Sequence, residues 1–225
     1  MDNRGKWQDV DNTLVSKKDK SCNDIVTNTS NEFKAQFPTS LNSDNTVKME
    51  KGQYSISFKL LENIKKSKGN KINYKKLEIE NNSKKRAKDL AKFEKKSSRM
   101  KYEDILDNTD IVYDVKSKQI KESIILKKAP PKAVSYTYEI TAEGLAAKLL
   151  ENNSIGFYSV ESNQSEFIIS APFMYDSAKE TAYSEDIIIT LEDLGSGKYK
   201  MTYTPSIKWL QDKNHKRAGQ DGNYI

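Results

Sequence analysis

Cysteine and histidine are almost missing from this 225-residue chain, which has one of each, Cys22 and His215. A single cysteine excludes an intrachain disulfide. It leaves the compartment open, because a reducing cytoplasm and a Gram-positive cell surface both suit it. Cys22 lies in a polar loop and reads as an inert thiol. His215 sits among Lys213, Asn214, Lys216 and Arg217, a poor setting for a Ser-His-Asp relay, which needs a packed imidazole oriented by an aspartate. With one Cys and one His far apart in sequence, a zinc site built from these residues is excluded as well. Glycine is scarce, with 9 residues, as is proline, with 5. No phosphate cradle is present: Gly195-Ser196-Gly197 lacks the lysine and following helix of a P-loop and reads as a hairpin turn. No apolar run approaches the ~20 residues that a membrane-spanning helix needs. Residues 1–7 lack the apolar core of a signal peptide; in an internal fragment of a secreted protein that signal would lie upstream.

Charge is what the chain has in quantity. Charged residues make up 31% and hydrophobic residues 36%, with a formal charge of +6 and a mean hydropathy of -0.82. Apolar residues gather in short runs between long polar stretches, so structured segments joined by solvated loops are expected rather than uniform disorder. Much of the positive excess falls in residues 62–101, from Lys65 and Lys66 to Arg99 and Lys101. Nucleic-acid binding would interleave such lysines with stacking aromatics. Here only Tyr74 and Phe93 are interspersed, and Glu78, Glu80 and Glu94 interrupt the charge. The block reads as a solvated linker or insertion, with anionic wall polymers as the alternative partner and no nucleic acid. A short strand is predicted at 74–79 and a helix at 83–97, whose stripe of Ala87, Leu90, Ala91 and Phe93 is too narrow to be stable alone.

Period-2 alternation elsewhere predicts antiparallel strands. Tyr54, Ile56, Phe58 and Leu60 face one way, against Ser55, Ser57 and Lys59. Ile111, Tyr113 and Val115 alternate, as do Ile120, Ile124 and Leu126. Val134, Tyr136, Tyr138 and Ile140 give the cleanest case. Residues 145–150 read as a strand or a short helix, joined through Glu151-Asn152-Asn153-Ser154 to a strand at 155–160. Runs at 167–171 and 187–191 follow, then Tyr199, Met201 and Tyr203, and Ile207, Trp209 and Leu210 close the strand series. Short strands at such intervals predict a mainly β fold of antiparallel, sandwich-like modules with a Lys-rich, partly helical or disordered insertion. The divisions expected are a β-rich segment at 1–61, the linker or insertion at 62–99, a sandwich-like domain at 100–210 and a disordered tail at 211–225. Trp7, Tyr113, Tyr136, Tyr138, Pro172 and Trp209 are the expected core or turn residues.

No catalytic, cofactor-binding or metal-binding residue emerges, and the chain is not expected to be an enzyme. Asp104, Asp107, Asp110 and Asp114 gather about a turn, but 107–110 lacks the glycine and terminal glutamate of a calcium loop. They read as turn-forming, solubilising acids. Glu122, on a strand, is explained by pairing with Lys121 or with a neighbouring strand. A hydrolase would need two carboxylates facing each other across a cleft. Tyr136, Tyr138, Tyr199, Tyr203 and Trp209 form either a sugar-binding row or cross-strand packing, the second being the commoner use of aromatics on a sheet. The sequon-like triplets 28–30, 81–83 and 152–154 are of a kind common by chance.

The order of several short motifs goes further. Gly5-Lys6-Trp7-Gln8-Asp9-Val10-Asp11-Asn12-Thr13-Leu14, the glycine-then-strand element 49–58, Asn108-Thr109-Asp110-Ile111-Val112-Tyr113 and Ile120-Lys121-Glu122-Ser123-Ile124-Ile125-Leu126 come in turn. Pro172-Phe173-Met174-Tyr175-Asp176 and Trp209-Leu210-Gln211-Asp212 complete the series. Together they resemble the region ahead of the repeats in bacterial cell-wall-associated YD-repeat (Rhs-type) proteins. The resemblance implies a non-catalytic, β-rich structural or interaction module of a large secreted or surface-attached protein. Its partner would be the remainder of the parent polypeptide, its place outside the cell or on the wall, and any toxin activity of the polymorphic-toxin kind would lie in a separate C-terminal region. The alternative is an adhesin-like module binding wall glycan or an anionic polymer. Residues 212–221 depart from the family's pattern, lacking its Tyr-Pro-Val element, which implies a product truncated at its C-terminus. No membrane insertion is expected.

Overall fold

The computed structural model describes residues 9–73, 98–176 and 182–215. The expectations for Trp7, the strand at 74–79, the helix at 83–97 and the end of the tail fall outside these residues.

The chain is mainly β, and its strands pair antiparallel. The N-terminal part supplies β1 (Asp11–Lys18), β2 (Asp24–Ser30), β3 (Lys34–Pro38), β4 (Ser40–Leu41), β5 (Val47–Lys51), β6 (Tyr54–Leu60) and β7 (Ser67–Asn73). After residue 97 come β8 (Ser98–Leu106), β9 (Thr109–Val115), β10 (Ile120–Leu126), β11 (Tyr136–Glu143), β12 (Leu145–Leu149), β13 (Ile155–Ser159) and β14 (Ser165–Ile169). The short pair β15 (Met174–Tyr175) and β16 (Tyr183–Ser184) precedes β17 (Ile187–Gly195), β18 (Lys198–Pro205) and a five-residue helix, α1 (Ile207–Gln211). The largest sheet has eight strands in the order β1-β2-β3-β5-β6-β11-β18-β17. A five-stranded sheet runs β10-β9-β8-β7-β4, and β12-β13-β14 form a third.

Strands from segments 1–61 and 100–210 share a sheet. β6 pairs with β11 from Tyr138↔Leu60 to Glu143↔Ser55, and β11 pairs on its other edge with β18. One core cluster draws on both large sheets, with Leu14, Phe37 and Ile56 from the first part and Tyr102, Ile111, Tyr138 and Ile140 from the second. Burial of this apolar surface is the main stabilising term. The alternation expected in β11 is present: Tyr136, Tyr138, Ile140 and Ala142 are buried, while Thr137, Glu139 and Thr141 are partly covered.

Three local readings are revised or resolved. Within the Lys-rich block, expected as a linker or insertion, β7 pairs with β8 from Gly69↔Tyr102 to Asn73↔Ser98. The β7 lysines Lys68 and Lys71 are exposed, and the Lys71 Nζ donates to Ser16 Oγ at 3.1 Å, so a charged sequence still forms a ladder. Residues 145–149 choose strand over helix because they pair with β13 in full register, Leu145↔Ser159 to Leu149↔Ile155. Ile207, Trp209 and Leu210 close the series as α1 rather than as a strand. The β18 ladder stops at Pro205, and the Leu210 N–H donates instead to the Ser206 carbonyl at 3.0 Å, burying Leu210. Gly195-Ser196-Gly197 is the hairpin turn expected: all three residues have positive φ, and the turn joins β17 to β18.

Candidate functional site

The two large sheets do not fill the space between them. A cavity of about 470 Å³ lies there, walled by β5, β6, β11, β17 and β18 on one side and by β9 and β10 on the other. The stretch from Ile168 to Phe173 closes one flank, and Phe173 and Ile168 are also exposed, which sets the mouth there. Close-packed interiors seldom leave voids much larger than a water molecule. A space of this size falls within the range of small-molecule pockets, roughly 300–1,000 Å³.

Most of the wall is apolar, including Phe58, Ile124 and Met201, and one carboxylate faces into it. Glu122 enters from β10, opposite Tyr113 of β9 in the ladder. The Tyr138 hydroxyl donates to Glu122 Oε1 at 2.9 Å, and the Tyr113 hydroxyl donates to the same carboxyl. The residue as a whole is only partly covered, as its place on an edge strand and against the cavity requires. Its carboxyl nevertheless lies deep enough that burial raises its pKa above the ordinary glutamate range, against the opposing pull of the two tyrosine hydrogen bonds. Tyr203 completes the surround, its ring 6.2 Å from that of Tyr138 at 69°. Burial pushes the Tyr113, Tyr138 and Tyr203 hydroxyls well above the usual phenol range, and the charge of Glu122 adds to the effect, so all three stay neutral donors. Glu122 thus pairs with a tyrosine of the neighbouring strand β9, as expected, and with one from the other large sheet, Tyr138 of β11, rather than with Lys121. No second carboxylate stands among the described residues of the lining, so the paired acids of a hydrolase are not assembled here.

Two lysines reach the lining and both are engaged. Lys48 pairs with Glu50 at 3.1 Å and with Glu143 at 3.7 Å. The Lys121 Nζ donates to the Tyr175 hydroxyl at 3.2 Å and lies 4.9 Å from the Tyr175 ring centroid and 5.5 Å from that of Phe173.

The other sequence candidates are placed as follows. Tyr136, Tyr138 and Tyr199 are buried, and Tyr203 and Trp209 pack against the core, so this set forms no exposed row. The exposed rings lie elsewhere: Phe173 stacks 5.9 Å from Tyr175 and 5.4 Å from Tyr183, which is 58% exposed. Sequence reading missed this cluster because Tyr183 joins it only through the β15–β16 pair. The acids around the β8–β9 turn separate into distinct roles. Asp110 is buried and takes Lys127 at 2.6 Å, Lys101 at 3.1 Å and the Asp104 N–H at 2.8 Å. Burial alone would raise its pKa, but these donors together outweigh it and hold the carboxyl below its usual range. Asp114 instead forms a two-point pair with Arg99 at 2.7 and 3.0 Å. Among the described residues no group of three or more His, Cys, Asp or Glu is placed to hold a metal ion. His215 rests on Trp209, with ring centroids 4.3 Å apart and Nδ1 3.0 Å from the Trp209 carbonyl. Asn28, first residue of one sequon-like triplet, is buried, with its amide bound to Asn12 and Phe33. No helix among the described residues is long and apolar enough to cross a membrane. No family model, no curated protein and no solved structure matches the chain, so the cavity and its carboxylate stand on their geometry alone.

Proposed function

We propose that the chain is a non-catalytic structural and interaction module of a bacterial cell-surface or secreted YD-repeat (Rhs-type) protein, lying ahead of the repeats. The observation that supports this reading is that the resembling segments carry packing. Asn12 and Leu14 are buried in β1, Ile56 in β6, Tyr113 in β9, Ile124 in β10, Met174 and Asp176 at the 172–176 turn, and Leu210 in α1. Motifs spread over nearly the whole chain thus meet in one folded unit, as a module retained for its shape requires. Its partner on this reading is the rest of the parent polypeptide. The test is the reading frame around these codons. A secretion signal upstream and tandem YD repeats downstream are expected; a closed short gene without repeat-coding remnants overturns the reading.

Wall-glycan binding is the second reading, favoured by the exposed rings of Phe173 and Tyr183 beside Lys121. Aromatic faces stack on sugars, and an ammonium beside them suits an acidic polymer, with binding that weakens in salt. Cosedimentation with purified wall fragments, lost in a Phe173→Ala, Tyr183→Ala double variant, is the expected result. Unchanged sedimentation of that variant removes this reading.

A further inference from the structure

We propose that the inter-sheet cavity is a binding site for a small organic cation, an amine whose ammonium docks at Glu122 among Tyr113, Tyr138 and Tyr203 and whose apolar body fills the space beside Ile124 and Met201. The inference is independent of the surface-protein reading, which says nothing of a small-molecule ligand.

The chemistry of the wall selects this class. A carboxylate offers about four acceptor positions, and two tyrosine hydroxyls supply Glu122 with two donors. That leaves room for a further donor from the cavity side. Tyr113 and Tyr138 turn their hydroxyls to this acid, and a phenolic oxygen that donates to a carboxylate keeps acceptor capacity for an ammonium. An anionic head group would instead meet an acid in a poorly solvated space. Of the two cations that line the cavity, Lys48 is paired with Glu50 and Glu143, and Lys121 is held against the Tyr175 hydroxyl and the Phe173 ring rather than at Glu122. The remaining wall is mostly apolar, so a bare ammonium ion would leave most of the volume unfilled, whereas an amine with an aryl or alkyl body covers both kinds of surface. The mouth at Ile168 and Phe173 gives such a molecule a path in.

The experiment is calorimetric titration of the whole chain with 4-phenylbutylamine and with 4-phenylbutan-1-ol, which share a body and differ in the head group. Saturable binding of the amine is expected, at least about tenfold tighter than the alcohol, the scale of one hydrogen bond to a charged group. Glu122→Gln keeps the side-chain shape and should erase that preference while leaving alcohol binding in place. Met201→Trp narrows the cavity without touching the carboxyl and should weaken both ligands, with far-UV circular dichroism confirming the fold. Equal affinity for amine and alcohol in the parent chain overturns the proposal, as does amine binding indifferent to Glu122→Gln. Absence of saturable binding at millimolar concentrations, in a chain that the same spectra show folded, overturns it equally and leaves a water-filled void.

Discussion

Glu122 ties its protonation to the stability of the core. Its folded-state pKa is raised by burial, so the native state holds the proton more tightly than the unfolded chain does. Stability from this group is therefore fully present below the unfolded glutamate value of about 4.3 and is lost as pH rises through the higher folded value. Glu122→Gln should consequently match the parent chain near pH 4 and exceed it at neutral pH. The gap in melting temperature should open with rising pH, at roughly 2–4 °C per kcal/mol relieved for a chain of this size. Parallel melting curves for the two proteins across pH 4–8 would refute the assignment. Gly69 makes a different point about single residues. A Cβ there would stand 2.1 Å from Met100 Cε and 2.9 Å from Tyr102 Cε1. Methionine can move aside, but the Tyr102 ring is fully buried and its hydroxyl donates to the Pro38 carbonyl at 2.6 Å. Gly69→Ala is expected to cost about 1–3 kcal/mol through overpacking, measured by denaturant titration.

Among elements, the β17–β18 hairpin is set by its turn. Gly197 has φ +73°, and a Cβ would lie 2.8 Å from the Ala142 carbonyl oxygen, the neighbouring strand's backbone. Gly52 has a similar φ of +60° but open space around it. Gly52→Ala should therefore cost only the left-handed backbone term of about 1–2 kcal/mol. Gly197→Ala should cost more, because backbone cannot yield as a flexible side chain does; chemical denaturation of the pair separates the two effects. Elements also show what sequence could and could not reveal. The period-2 run in β11 was legible because both faces of that strand differ in polarity. β7 was hidden by its lysines, since a strand near the open end of a sheet tolerates charge wherever water reaches it. Helix α1 was read as strand because five residues hold too little of a 3.6-residue period to distinguish. The cavity was illegible for a deeper reason: Glu122, Tyr138 and Tyr203 lie on β10, β11 and β18, and only long-range pairing brings them together.

For the whole molecule, the shared eight-stranded sheet makes the two halves one cooperative unit. A chain ended after Ser184 loses β17, β18 and α1 and bares one edge of β11. Loss of native structure throughout is the expected result, including in β1–β3, which lie far from the deletion in the sheet. Amide hydrogen exchange would show this as loss of protection in residues 11–38; persistent protection there would mean that the N-terminal strands fold without their partners. The pairing of β6 with β11 also carries a consequence for biosynthesis. As the chain leaves the ribosome, strands β1 to β6 are complete while the outer edge of β6 has no neighbour, and it stays bare until Tyr136 and the residues after it emerge. An open edge of that kind is what recruits other chains. The charged residues that separate β6 from β11 in sequence would keep the waiting intermediate soluble, a role in time rather than in the finished architecture.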